Sequence, residues 1–208
     1  MTQEANHKPA DDGSETAEEW YAKRMTGLGA KFSAVRWAHG IVYKRHVQSV
    51  THGRVLDVGC GIGSNLGSVW PSSVGVDHNE HSIAEARARG FNAFTSEEFH
   101  ARADEYKAAF DSILCAHVME HMDRDSGVSV LEEYLPYLKT TGTVALIMPQ
   151  EAGYKTDPTH VRLVDFDGAR DLLEAVGLKV QRSFSWPLPR KYGPSLRSNE
   201  FVVTGRRV

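Results

Sequence analysis

Residues 54–66 read Arg-Val-Leu-Asp-Val-Gly-Cys-Gly-Ile-Gly-Ser-Asn-Leu. A short β-rich run, Val55 to Val58, feeds a turn with glycine at 59, 61 and 63, and the apolar positions that follow predict a helix to about Trp70. Glycine lets backbone turn sharply and approach a ligand closely, and the helix start beyond it offers free N–H groups. A dinucleotide-binding turn would read G-x-G-x-x-G, but position 64 is Ser and an acid, Asp57, stands two residues before the first glycine. The pattern is D-x-G-x-G-x-G. Fourteen residues past Gly63, Asp77 ends a second short strand over 73–77, where a carboxylate can accept both hydrogen bonds of a ribose diol.

Outward from this turn the chain alternates strand and helix. A helix is predicted over 81–90, stopped by Gly90, then a strand over 91–95 and a polar helix over 97–107. The run 110–118 reads as a buried strand of the parallel kind, 126–138 as a helix, and 143–149 as a fifth strand. A long Gly- and Pro-containing loop covers 149–164, a helix covers 166–176, and two closing strands, 178–186 and 199–207, flank a Pro-rich connection. Such an order predicts an α/β fold: a doubly wound, Rossmann-like, seven-stranded and mostly parallel sheet with an antiparallel edge and helices on both faces. In these sheets ligands bind beyond the carboxyl ends of the strands, where the order reverses.

With these segments in place, the chain resembles the class I S-adenosylmethionine-dependent methyltransferases. VLDVGCGIGSNL is similar to their first motif, GVDHN to their second, FDSILCAHVMEHM to their fourth-strand motif, and LPYLKTTGTVALIMP to their helix-to-fifth-strand motif. The resemblance implies S-adenosylmethionine as cofactor, held by Asp57, Gly59, Cys60, Gly61 and Gly63 around its methionine part and by Asp77 at its ribose. It extends the same set to His78 and Ala116, and leaves Glu97 where many members place an acid beside the adenine. The implied reaction is displacement at a sulfonium methyl group, in which the protein chiefly aligns nucleophile, methyl carbon and sulfur.

Ten histidines in 208 residues form the odd feature of the composition. Three of them, His117, His121 and His160, fall on loops expected to face an acceptor, which makes them the candidate catalytic residues. His117-Val118-Met119-Glu120-His121 also matches H-x-x-E-H, an inverted zinc-peptidase pattern that belongs on a helix; here it follows a strand. The segment is more similar to the V-x-E-H stretch of ubiquinone-biosynthesis O-methyltransferases and small-RNA 2′-O-methyltransferases. In those enzymes E-x-x-E-H and a later residue bind a divalent metal. The comparison implies a ligand set of His117, Glu120, His121 and His160, whose mixed nitrogen and oxygen donors suit zinc, manganese or iron. Three roles stay open at this level: metal ligation, a metal-free histidine base, and loop structure. His39, His46, His52, His78, His81 and His100 have no comparable place on the acceptor-facing loops.

Charge and length limit the partners. The net charge is −3; six acids against one base crowd the first 19 residues, and the remainder, with 23 basic against 21 acidic side chains, is near neutral. That balance disfavours a nucleic-acid partner. No apolar run approaches the roughly 18 residues of a membrane span, no signal sequence is recognisable, and the two cysteines suggest a reducing, cytoplasmic setting. Residues 1–14 read as a flexible acidic tail, 15–52 as a helical cover with Trp20, Tyr21, Met25 and Phe32, and 53–208 as the catalytic domain. So short a chain favours a small-molecule acceptor, methylated on oxygen in a biosynthetic pathway, and is compatible with a homodimer. The alternatives are another reaction on the same fold, or a cofactor-binding subunit without turnover.

Overall fold

The structure is a computed structural model that describes residues 33–207. The expected acidic tail and the aromatic residues of the N-terminal cover lie outside the described residues. Within the helical cover expected over 15–52, α1 spans Ser33–Val50.

Seven strands form one sheet in the order β3-β2-β1-β4-β5-β7-β6. They are β1 Val55–Val58, β2 Val74–Asp77, β3 Ala93–Thr95, β4 Phe110–Ala116, β5 Leu138–Pro149, β6 Leu178–Trp186 and β7 Glu200–Arg207. β1 pairs in parallel with both β2 and β4, while β7 runs antiparallel to β5 and to the edge strand β6. The expected antiparallel edge is therefore this closing pair. Because the chain travels outward from β1 to β3 and then returns to β4, the order reverses between β1 and β4. Their carboxyl ends, Val58 and Ala116, frame the crevice.

The strands are apolar on both sides because both faces are covered. Leu114, Ala116, Ala145, Ile147 and Val202 pack with Val47 and Val50 of α1. Their neighbours in sequence, Ile113, Cys115, Val144, Leu146 and Val203, pack on the opposite face with Leu131, Leu172 and Leu173. The period of two along each strand thus sorts side chains between two helical layers. The helices of the second layer are α5, Arg124–Tyr134, and α7, Phe166–Ala175.

Local chemistry sets the helix ends. Asn79 caps α2 (Glu80–Ala88) by accepting from Ser82 N at 3.0 Å, and Gly90 follows at φ 85°. Thr95 and Glu98 form a reciprocal capping box on α3 (Ser96–His100). Asp123 and Asp165 cap α5 and α7.

The main departures from the sequence expectation are four. Beyond the glycine turn only a single 3₁₀ turn forms, Leu66–Ser68, because Gly61, Gly63, Ser64, Gly67 and Ser68 are weak helix formers and Pro71 follows closely. The polar helix over 97–107 is two short ones, α3 and α4 (Ala103–Tyr106). β5 begins at Leu138, five residues early, directly after a 3₁₀ turn containing Pro136. β4 stops at Ala116, because His117 takes φ 58° and cannot continue a strand.

Candidate active site

The glycine turn is built by backbone hydrogen bonds. Gly59 and Cys60 both donate to Val76 O, at 2.8 and 3.0 Å, which fastens the turn to β2. Gly59, Gly61 and Gly63 have φ of 74°, 52° and 81°, the left-handed region that disfavours any side chain. A Cβ at Gly59 would lie 2.4 Å from Val118 Cγ2 and one at Gly63 2.5 Å from Phe91 Cδ2, whereas Gly61 faces open space. Gly61 is therefore the point of the loop where a ligand can come against bare backbone. The Cys60 side chain turns inward against Gly75, and burial raises its thiol; Cys60 contributes shape rather than a reactive sulfur.

Two carboxylates meet at this turn. Asp77 accepts from Gly61 N through Oδ2 and from Asn79 N through Oδ1, both at 2.8 Å. Asp57, fully buried, has neither oxygen in a well-formed hydrogen bond. Burial pushes its carboxyl up to about 8; the nearby Asn65 amide pulls the other way, and the charge of Asp77 adds to the rise. A buried acid with unused acceptor atoms at the mouth of a glycine turn is prepared for a cation. His78 is exposed, with Nδ1 3.5 Å from Asp77 Oδ1. Glu97 is exposed in the first turn of α3, at the carboxyl end of β3, and Ala116 is buried at the end of β4.

The histidines form the opposite wall. Glu120 sits in a 3₁₀ turn, Met119–His121, completely buried, and both of its oxygens lack a hydrogen bond. His160 Nε2 lies 3.9 Å from Glu120 Oε1. Ligand atoms of Glu120, His121 and His160 lie within 4.8 Å of one another. The loop after β5, which includes the one-turn α6 (Glu151–Tyr154), brings His160 here. Glu120 O accepts from Val161 N at 2.7 Å, and Tyr154 stacks on His160 at 5.2 Å.

Both histidines are oriented through Nδ1. His160 Nδ1 is 2.6 Å from Tyr154 O, a carbonyl that can only accept, so Nδ1 carries the proton. His121 Nδ1 is 3.3 Å from Thr159 O and 3.1 Å from Thr159 Oγ1, and that hydroxyl donates in turn to Asp157 Oδ1 at 2.7 Å. In each ring the lone pair then belongs to Nε2. Burial is the largest influence on His121 and lowers its pKa, which favours the neutral ring.

His117 takes a different part from the one its spacing suggested. Its Nε2 meets Glu200 Oε1 at 2.9 Å and its Nδ1 meets Glu120 Oε1 at 3.3 Å. Its side chain is 42% exposed, and the carboxylates of Glu200 and Glu120 on either side raise its pKa above the usual histidine range. The ligand atoms that converge are those of Glu120, His121 and His160, while both ring nitrogens of His117 face carboxylates instead. Glu200 went unrecognised in the sequence. Its one signal was an acid opening the otherwise apolar run Phe201-Val202-Val203.

A cavity of about 530 Å³ between α1 and the loops at Trp70 and Phe91 opens at the amino ends of β2 and β3. Its lining includes none of the residues of either wall. No helix among the described residues is long and apolar enough to cross a membrane.

A family model described as a methyltransferase domain matches residues 43–183. The chain belongs to the methyltransferase domain family. It is a class I S-adenosylmethionine-dependent methyltransferase. Solved structures share the fold at low identity. A methyltransferase from Archaeoglobus fulgidus aligns with TM-score 0.66 and 17% identity over 91% of this chain and 100% of that one. The magnesium protoporphyrin IX methyltransferase of Synechocystis, with bound S-adenosylhomocysteine, aligns with TM-score 0.65 and 12% identity, covering 93% and 97%. A possible histamine N-methyltransferase from Thermotoga maritima gives TM-score 0.63 and 16% identity, covering 92% and 100%. No curated protein matches in sequence.

Proposed function

We propose that this methyltransferase transfers the methyl group of S-adenosylmethionine to a hydroxyl of a small-molecule acceptor, with a divalent cation held by Glu120, His121 and His160. The cofactor's ammonium group pairs with Asp57, its ribose diol with Asp77, and its backbone-facing edge lies against Gly61. His78, Ala116 and Glu97 line the adenosine end. The observation that carries the acceptor side is Glu120: a buried carboxylate without a hydrogen bond, beside two histidines whose Nε2 atoms carry the lone pairs.

When bound, such a cation supplies Lewis acidity that lowers the pKa of a hydroxyl on it. Two imidazole nitrogens and one carboxylate suit zinc, manganese or iron better than magnesium or calcium. The acceptor oxygen attacks the methyl carbon, the carbon–sulfur bond breaks, and its electron pair stays on sulfur as a neutral thioether. The hydroxyl proton leaves to solvent. His117 stands beside Glu120, with Nδ1 3.3 Å from Oε1. A second reading follows from the lowered pKa of His121: without a cation, this neutral ring accepts the hydroxyl proton itself.

A transfer assay with labelled methyl donor across catechols, sugars, nucleosides and carboxylates, before and after chelation, tests both readings. Turnover lost on chelation and restored by manganese or zinc supports the cation. Turnover insensitive to chelation but lost in His121→Ala supports the base. Methylation confined to carboxylates or amines rules out the hydroxyl acceptor.

A further inference from the structure

Four side chains from four parts of the fold form an alternating row of imidazole and carboxylate. His46 on α1 is buried and stacks on Trp186 with ring centroids 4.1 Å apart and planes 8° from parallel. Its Nε2 lies 3.5 Å from Glu200 Oε2 at the start of β7. Glu200 Oε1 meets His117 Nε2 at 2.9 Å, and His117 Nδ1 meets Glu120 Oε1 at 3.3 Å. The row runs from the helix layer, across the sheet, to the carboxylate at the acceptor wall.

Each member is fixed by something other than the row. Glu200 opens β7 opposite Pro149 and Trp186, and its carbonyl accepts from Gln150 Nε2 at 2.8 Å. His117 is committed by a left-handed backbone, φ 58°. Glu120 is the exception. Its carboxylate has no hydrogen bond, His160 is 3.9 Å away, and His117 is the nearer ion-pair partner. A buried carboxylate in that situation takes its direction from the ring that faces it.

We propose that Glu200 is a positioning residue: acting through His117, it aims the Glu120 carboxylate at His121 and His160, and His46 anchors the far end of the row to α1. The proposal rests on the reading of Glu120, His121 and His160 as a cation site. A row that merely closed the packing of β4 against β7 would affect folding stability and leave the cation's donor geometry alone. Positioning affects both affinity and geometry.

The test is cobalt(II) titration of the full chain without a histidine tag, followed by the ligand-field absorption bands, which report donor geometry. S-adenosylhomocysteine binding and thermal melting serve as fold controls. Wild type is expected to take one ion and His160→Ala none. Glu200→Gln and His117→Asn should each still take one ion, about 10- to 100-fold more weakly and with shifted bands, as loss of an outer partner of a metal ligand produces. His117→Asn suits the left-handed position, so it reads the same link if Glu200→Gln fails to fold. Wild-type affinity, within about twofold, and unchanged bands in either folded variant overturn the positioning role while the cation site stands. A wild type that binds no ion removes both.

Discussion

The backbone N–H of Gly61 donates to Asp77 Oδ2 across 2.8 Å, so the acid assigned to the ribose also holds the tip of the glycine turn. With Asn79 N on Oδ1, each oxygen keeps one further lone pair for a ribose hydroxyl. Asp77→Asn leaves a single acceptor oxygen, so either the turn or the diol loses its partner. Hydrogen bonds to a charged group contribute about 1.5–3 kcal/mol, so affinity for S-adenosylhomocysteine should fall on the order of 10- to 100-fold by calorimetry. Undiminished affinity would remove Asp77 from the ribose.

Gly61 and Gly90 form a matched pair for separating strain from ligand contact. Both have positive φ, 52° and 85°, and a Cβ at either meets nothing within 4 Å. Alanine at each should therefore cost a similar amount of stability, about 1–2 kcal/mol, from the backbone alone. Only at 61 does the new methyl project into the crevice. Gly61→Ala should lose cofactor binding and Gly90→Ala retain it; equal binding by the two would show that the ligand does not approach Gly61.

Asp57 should make cofactor affinity depend on pH. Its carboxyl is raised from 3.8 to about 8, with burial the largest cause. Between these values the folded protein holds a proton that the unfolded chain has lost. Stability from this group therefore falls as pH rises through that window, and the full cost is present above the folded value. A cationic cofactor favours the ionised acid. Its affinity should rise by up to about tenfold per pH unit between about pH 6 and pH 7.5, while Asp57→Asn should bind weakly and without that slope. The same variant should melt higher than wild type above about pH 8 when no ligand is present. A flat affinity profile in wild type would place the cofactor's ammonium elsewhere.

The fold was legible because its signals are local and periodic. The D-x-G-x-G-x-G turn, the apolar strands and the glycine stops each occupy a few consecutive residues, and all seven strands appear near their expected places. Helix content after the glycine turn was overread, because the apolar spacing of Ile62, Leu66 and Val69 outvoted five glycine and serine residues among 61–68. At the site, Glu120, His121 and His160 were legible as a motif plus a loop histidine. The part of His117 was not. It depends on Glu200, 83 residues away, and on a left-handed backbone that a sequence pattern does not record. His46 was equally hidden, since its stacking on Trp186 exists only once β6 lies against α1.

The α5–α7 seam fixes the two site loops, since α5 follows the His121 turn and α7 follows the His160 loop. Arg124 joins Asp171 across it with hydrogen bonds of 2.6 and 3.1 Å, but both side chains are about half exposed, at 48% and 50%. Solvent screening leaves such an exposed pair with little net effect on stability. Leu172, beside Asp171, is fully buried, and Gly127 of α5 is so close that a Cβ there would lie 3.2 Å from Leu172 Cδ2. Leu172→Ala should therefore cost about 2–5 kcal/mol in urea unfolding, and Asp171→Asn far less. Added salt should reduce the smaller effect and leave the larger one unchanged. If Asp171→Asn cost as much as Leu172→Ala, the ion pair rather than the buried contact would be what holds the His121 and His160 loops in register.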